Sequence, residues 1–187
     1  LGDMKLMSGV SIIGLIASLV GIVMGPYLAN RFGKKKVYLT AVIISTALNL
    51  LRLLDVTSMI LIYISALIGG VAGGWMVPVS TSIQADNTTY VQYKTGKRAE
   101  AAIASLTSFV SKVAQGLGGA IPGYVIAAYG FVTGASVQPE SINTGIILCA
   151  LILPLIFGIL GSLIFGTQYT LDQKAVIEMD AKINRNN

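Results

Sequence analysis

Ser105, Ser108, Lys112, Gln115 and Gly119 are separated by three, four, three and four residues, the spacing that stacks side chains on one face of an α-helix. Between them fall Leu106, Phe109, Val110, Val113 and Leu117. The surrounding stretch, Ala101–Tyr129, is apolar enough to read as a membrane span, so a polar stripe runs along a membrane helix. Lys112 stands eleven residues beyond Ala101, roughly 16 Å into the bilayer and near its midplane. An ammonium at that depth costs about 3 kcal/mol or more unless it faces a watery cavity or finds a partner, and it is too deep to snorkel. The stripe therefore reads as part of a substrate or ion pathway. The competing reading is a lysine neutralised in a packing interface. An ammonium donates several hydrogen bonds and accepts none.

The carboxylates are placed differently. Asp3, Asp55, Asp86, Glu100, Glu140, Asp172, Glu178 and Asp180 all fall in loops, at helix ends or in the tail. A sodium or proton site needs an acid or an oxygen-rich set at depth, so if the protein is cation-coupled, the coupling site is expected in a part that is missing here. Histidine is absent and Cys149 is the only cysteine, which excludes a zinc cluster, a histidine base and a disulfide. The sequence contains no phosphate loop, nucleophile elbow or His-Glu-x-x-His helix. Enzymatic chemistry and a resident cofactor are not expected. Asn87-Thr88-Thr89 matches a glycosylation sequon, discounted because it falls on the side assigned below to the cytoplasm.

The elements that must hold these residues follow from composition. Of the 187 residues 54% are hydrophobic and 11% charged, with a mean hydropathy of +0.76, about half the charge density that a soluble domain carries. The surplus apolar surface faces lipid. Runs long enough to cross a hydrocarbon core of about 30 Å occupy roughly Leu6–Ala29, Val37–Leu54, Ser58–Ala85, Ala101–Tyr129 and Thr144–Phe165. The fold expected is all-α, a polytopic membrane protein with five transmembrane helices over residues 1–168. Pro26, Pro78, Pro122 and Pro154 lie inside spans, where neighbouring helices can re-satisfy the backbone. Gly21-x-x-x-Gly25, Gly69-x-x-x-Gly73 and Gly70-x-x-x-Gly74 place small residues where helices can approach closely. Because the chain opens on Leu1, it reads as cut from something longer.

Ten of the thirteen basic residues fall on one side: Arg31, Lys34, Lys35 and Lys36 after span one, Lys94, Lys97 and Arg98 after span three, Lys174, Lys182 and Arg185 in the tail. Positive charge is retained in the cytoplasm, so the chain start is expected outside and its end inside. The net charge of +5 is explained by topology without invoking nucleic acid. The tail, residues 169–187, opens with a capping box, Thr170-Leu171-Asp172-Gln173, and repeats Leu171, Ala175, Met179 and Ile183 every four residues. A short amphipathic helix along the cytoplasmic surface, packed on neighbouring loops, is expected.

The run Ala85-Asp86-Asn87-Thr88-Thr89-Tyr90 through Lys94-Thr95-Gly96-Lys97-Arg98-Ala99-Glu100, followed by Lys112, resembles the loop between helices ten and eleven, and helix eleven, of the glycoside–pentoside–hexuronide:cation symporters, a melibiose permease-like family of the major facilitator superfamily. Gly25-Pro26 through Arg31-Phe32-Gly33-Lys34-Lys35-Lys36 resembles the basic turn between helices eight and nine. This resemblance covers essentially the whole chain. It implies the C-terminal half of a twelve-helix cell-membrane transporter, helices eight to twelve, that moves a sugar or sugar acid with sodium or a proton by alternating access. Its partners would be the substrate, the coupling cation, the bilayer and its own N-terminal half.

By the same resemblance Lys112 lines the sugar cavity, with Thr107, Ser108 and Gln115 nearby and Trp75 as the helix-ten aromatic. Trp75 stands about two positions out of register with the family's residue. Asp86, Arg98 and Arg31 are implied in closing the cytoplasmic side. The family often carries a second acid three residues after the aspartate, where this chain has Thr89. Two alternatives stay open: a superfamily relative that moves lipid or drug through a wide apolar cavity, and a non-transporting scaffold or channel subunit in which Lys112 faces a partner helix.

Overall fold

Glycines stand at the ends of several helices here, while Pro26, Pro78 and Pro122 lie inside helices. The computed structural model describes residues 4–135 and 137–185; Asp3 lies outside them. Helix α1 spans Met4–Phe32 and ends at Gly33, whose φ of 88° opens the turn into α2, Lys34–Leu54. Asp55 then accepts from the Thr57 hydroxyl at 2.8 Å and from the Thr57 and Ser58 amides at 3.0 Å. These bonds hold its carboxyl below the usual carboxylate range, the Thr57 hydroxyl contributing most. Helix α3, Met59–Thr95, starts on Ser58 and stops at left-handed Gly96, whose N–H bonds the Gln92 carbonyl. Helix α4 is Glu100–Ala128. Helix α5, Ser141–Ile147, runs through a π-helical stretch, Leu148–Ile152, into α6, Leu153–Gln168. Pro154 follows the widened turn, and its missing N–H is one reason the α-pattern lapses there. Helix α7 is Gln173–Arg185.

Four of these helices are long and apolar enough to cross a membrane: Met7–Phe32, Lys34–Leu54, Met59–Thr95 and the continuous Ser141–Gln168. At 29 residues α4 has the length, but its serines, its lysine and its glycines keep it out of that group. Helix α3 overshoots the expected end at Ala85 by ten residues. Thirty-seven residues at about 1.5 Å each exceed a hydrocarbon core of about 30 Å, so Asp86, Tyr90 and Tyr93 ride on an extension beyond the span.

The bundle is organised around the crossing of α1 and α3, where glycines bring two backbones together. A Cβ added at Gly21 would run into the Val71 carbonyl, one at Gly74 into the Ser18 carbonyl, and one at Gly70 would lie 2.7 Å from the Gly14 oxygen. At Gly25 it would meet Pro78 at 2.7 Å. Of the overlapping motifs in α3, Gly70-x-x-x-Gly74 faces α1, while Gly73 has open space around it. Close approach of this kind is how membrane helices associate when water supplies no hydrophobic drive between them.

Helix α7 has its Ala175, Met179 and Ile183 face half-buried, as is Leu171 just before it, and packs on α3, with Lys182 Nζ 5.7 Å from the Tyr93 ring. It starts later than the expected box: Asp172, not Thr170, caps it, its carbonyl taking the Val176 N–H at 3.1 Å and its side chain the Gln173 N–H at 2.7 Å.

Candidate functional site

Two separate regions carry the polar chemistry. The first is the end of the bundle where the turn between α1 and α2, the extension of α3 and the start of the tail converge. Asp86 is 6% exposed, the one charged residue that is buried among the described residues. Lys34 Nζ lies 2.7 Å from each of its carboxylate oxygens, and the Tyr169 hydroxyl donates to Oδ2 at 3.3 Å. Burial, then the Asp86 charge and the bond to it, push the Tyr169 phenol up to about 12. Three elements far apart in sequence thus meet on one carboxylate. Below it Ala29, Val37, Val79, Ile83 and Tyr169 form an apolar cluster, capped by Phe165 stacked on Tyr169 at 4.9 Å. A cavity of about 260 Å³ opens beside the triad, with Lys35, Lys36 and the tail segment Thr170–Gln173 on its wall.

The other expected members of this group stand elsewhere. Arg98 pairs with Glu100 at 2.9 Å, both well exposed, and Arg31 bonds the Tyr27 hydroxyl at 3.4 Å and lies over the Phe32 ring. Lys34 was not singled out from the sequence, because three adjacent lysines in a turn look alike. The available signal was that the only acid on the extended end of α3 lies on the same side as that turn.

The second region is α4, and none of its residues is buried. Ser108, Lys112 and Gln115 are exposed and Thr107 is half-buried. Ser105 bonds back to the Ala101 carbonyl at 2.7 Å. Leu106, Phe109 and Val110 on other faces are exposed as well, at 55–65%. At Gly116, Gly118, Gly119 and Gly123 an added Cβ would meet nothing. Smooth glycine surface, polar stripe and apolar side are all largely exposed, although α4 does touch α3, α5 and the π-helical stretch.

Trp75 is not brought to the stripe. It borders an apolar cavity of about 360 Å³ with Met24, Leu28, Phe32, Val37 and Thr40, all from α1 and α2. Its Nε1 is buried with no hydrogen-bond partner among the described residues. No group of three or more histidine, cysteine or carboxylate side chains that could hold a metal occurs among the described residues.

Comparison with known proteins bears on this arrangement. The chain is 24% identical over 185 residues to a putative sulfoquinovose importer of Escherichia coli (strain K12), covering 99% of this chain and 39% of the relative. It is 29% identical over 178 residues to a glucuronide carrier protein homolog of the same organism, covering 91% and 39%. It is 32% identical over 185 residues to the uncharacterized symporter YjmB of Bacillus subtilis (strain 168), covering 96% and 39%. The chain thus spans about 39% of the length of these relatives, which are named as transporters rather than enzymes. A family model described as MFS/sugar transport protein matches residues 1–173, from the first helix through the triad to the start of the tail, and the chain belongs to that family.

Proposed function

We propose that this chain is the C-terminal half of a cation-coupled sugar symporter. In this reading α1, α2, α3, α4 and the continuous α5–α6 helix are five spans that take the places of helices eight to twelve in a twelve-helix transporter working by alternating access. The observation that carries the proposal is α4. A helix of membrane-spanning length with a lysine near its middle, and with none of its residues buried, fits the wall of a cavity whose opposite wall is another part of the protein. Relatives about two and a half times as long supply the room for that part.

Lys112 is the substrate-facing cation, with Thr107, Ser108 and Gln115 beside it; Trp75 on α3 faces α1 and α2 and is not part of this group. Relatives named for sulfoquinovose and a glucuronide support an anionic sugar as cargo, for which an ammonium is the fitting partner. Sodium or a proton binds in the other half, since no described acid lies in the middle of a span: Asp86 rides on the extension of α3, and the rest fall in loops, near helix ends or in the tail helix. At the cytoplasmic end Asp86 closes the inner face, held here by Lys34, while Arg31 and Arg98, paired elsewhere in this structure, take part only when the inner face rearranges. The tail lies inside the cell and the chain start outside.

The test is Lys112→Ala in the full-length protein. Losing a charge-assisted hydrogen bond costs about 1.5–3 kcal/mol, so sugar binding should weaken tenfold or more while thermal stability is kept. Unaltered affinity with altered stability would place Lys112 in a packing interface instead. The 187-residue chain alone, reconstituted in vesicles, should show no gradient-driven uptake.

A further inference from the structure

Ser45, Asn49 and Arg52 are spaced by four and three residues along one face of α2. They run from the last turn of that helix to about 13 Å inward along it. Ser65 on α3 faces the same space. Together with Val10, Leu48 and Ile62 they enclose a cavity of about 250 Å³ between α1, α2 and α3, at the end of the bundle opposite the lysine-rich turn. Leu48 and Ile62 are buried walls.

The chemistry of this cavity is one-sided. Among the described residues no carboxylate lines it. The acid closest in sequence, Asp55, is engaged by Thr57 and Ser58. Among the described residues neither Arg52 nor Asn49 makes an ion pair or a side-chain hydrogen bond, and the Ser45 and Ser65 hydroxyls do not bond back to their own helices as those of Ser11, Ser18 and Ser162 do. A half-buried guanidinium in the last turn of a membrane helix can reach interfacial water, but with three neutral polar groups around it and no carboxylate lining the cavity among the described residues an anion is the partner this cavity suits.

We propose that this cavity is an oxyanion site, in which Arg52 grips a phosphate, sulfonate or carboxylate group through its two-pronged guanidinium while Asn49, Ser45 and Ser65 bond the remaining oxygens. Its size, below the roughly 300–1,000 Å³ of pockets that enclose a whole drug-sized ligand, fits the acid group alone. Two sources share that chemistry: the phosphate of a membrane lipid headgroup, and the acid group of a solute arriving from that side. The site does not depend on Lys112 or on the coupling ion.

The experiment uses the purified full-length protein, wild type and Arg52→Gln, in lipid-free neutral detergent and in phosphatidylcholine nanodiscs. Thermal stability is titrated with sodium sulfate, with sodium glucuronate at matched ionic strength, and with phosphatidylglycerol in the nanodiscs. A saturable rise in wild type that weakens roughly tenfold or more in Arg52→Gln, and less in Arg52→Lys, is the expected result. A response to phosphatidylglycerol alone identifies the lipid source, and one to the soluble anions the solute source. Either supports the site. If Arg52→Gln does not fold, Asn49→Leu, which removes an amide and no charge, takes its place. Identical responses of wild type and folded variant to all three anions, or no response in either, would overturn the proposal.

Discussion

Lys34 Nζ sits 2.7 Å from both carboxylate oxygens of Asp86, fifty-two residues away in the chain. The side chains are 18% and 8% exposed, so solvent screens the pair only slightly, and removing one partner strands the other. Asp86→Asn, which keeps the shape, and Lys34→Met should each destabilise the protein by about 1–3 kcal/mol. In the double variant the losses should fall short of their sum by about 1 kcal/mol or more. Additive losses in thermal unfolding would mean that the two residues do not act on each other.

Tyr169 gives the same cluster a signature in alkali. Its phenol is raised to about 12 from an ordinary 10.0, so the neutral form is favoured in the fold. The stability this contributes is complete below pH 10 and is lost as pH rises from about 10 through 12. Tyr169→Phe keeps the stacking on Phe165 but has no proton to lose. Its stability relative to wild type should therefore improve across that window. Parallel curves from pH 9 to 12 would count against the burial of Tyr169 beside Asp86.

The α1–α3 crossing predicts a contrast between adjacent glycines. Gly74→Ala places a methyl group in the Ser18 carbonyl and should cost about 1–3 kcal/mol or more, because backbone cannot step aside as a side chain can. Gly73→Ala, with open space around it, should leave the unfolding temperature unchanged or slightly raised by helix propensity. Equal damage from both would show that the register of the crossing differs from the one described.

Topology can be read with fusions. Reporters placed after Lys36 and after Arg98 should be cytoplasmic and one near Gln138 external, following the one-sided positive charge. The pair Arg98 and Gln138 flanks α4, so opposite locations for these two also establish α4 as a fifth crossing. The same location for both would leave four.

Much of the architecture was legible because it depends on local composition. Apolar runs bounded by Gly33, by Asp55 and by Gly96 become helices wherever they are placed, since lipid offers the backbone no other partner. Small residues at Gly21, Gly25, Gly70 and Gly74 announced a close helix contact. Helix α4 was legible in pattern but not in status: the polar stripe that we propose as a cavity wall is also what keeps it from standing among the apolar spans.

Pairings across the chain were not legible. From the sequence, Asp86 had a basic turn on one side and Lys94, Lys97 and Arg98 on the other, all on the same face of the membrane. Which cation reaches a carboxylate depends on helix length and rotation. The ten extra residues of α3 carry Arg98 past the acid to Glu100, while the tight turn at Gly33 points Lys34 back towards it. Tyr169 joins because the last span ends at that level. The sequence by itself determined the helices, their apolar content and the side on which the charge collects, since those follow from local hydropathy and hydrogen bonding. Only the tertiary structure decided that Lys34, Asp86 and Tyr169 share one buried site and that Ser45, Asn49, Arg52 and Ser65 surround one cavity. Such contacts depend on the crossing and register of packed helices, which no single helix encodes.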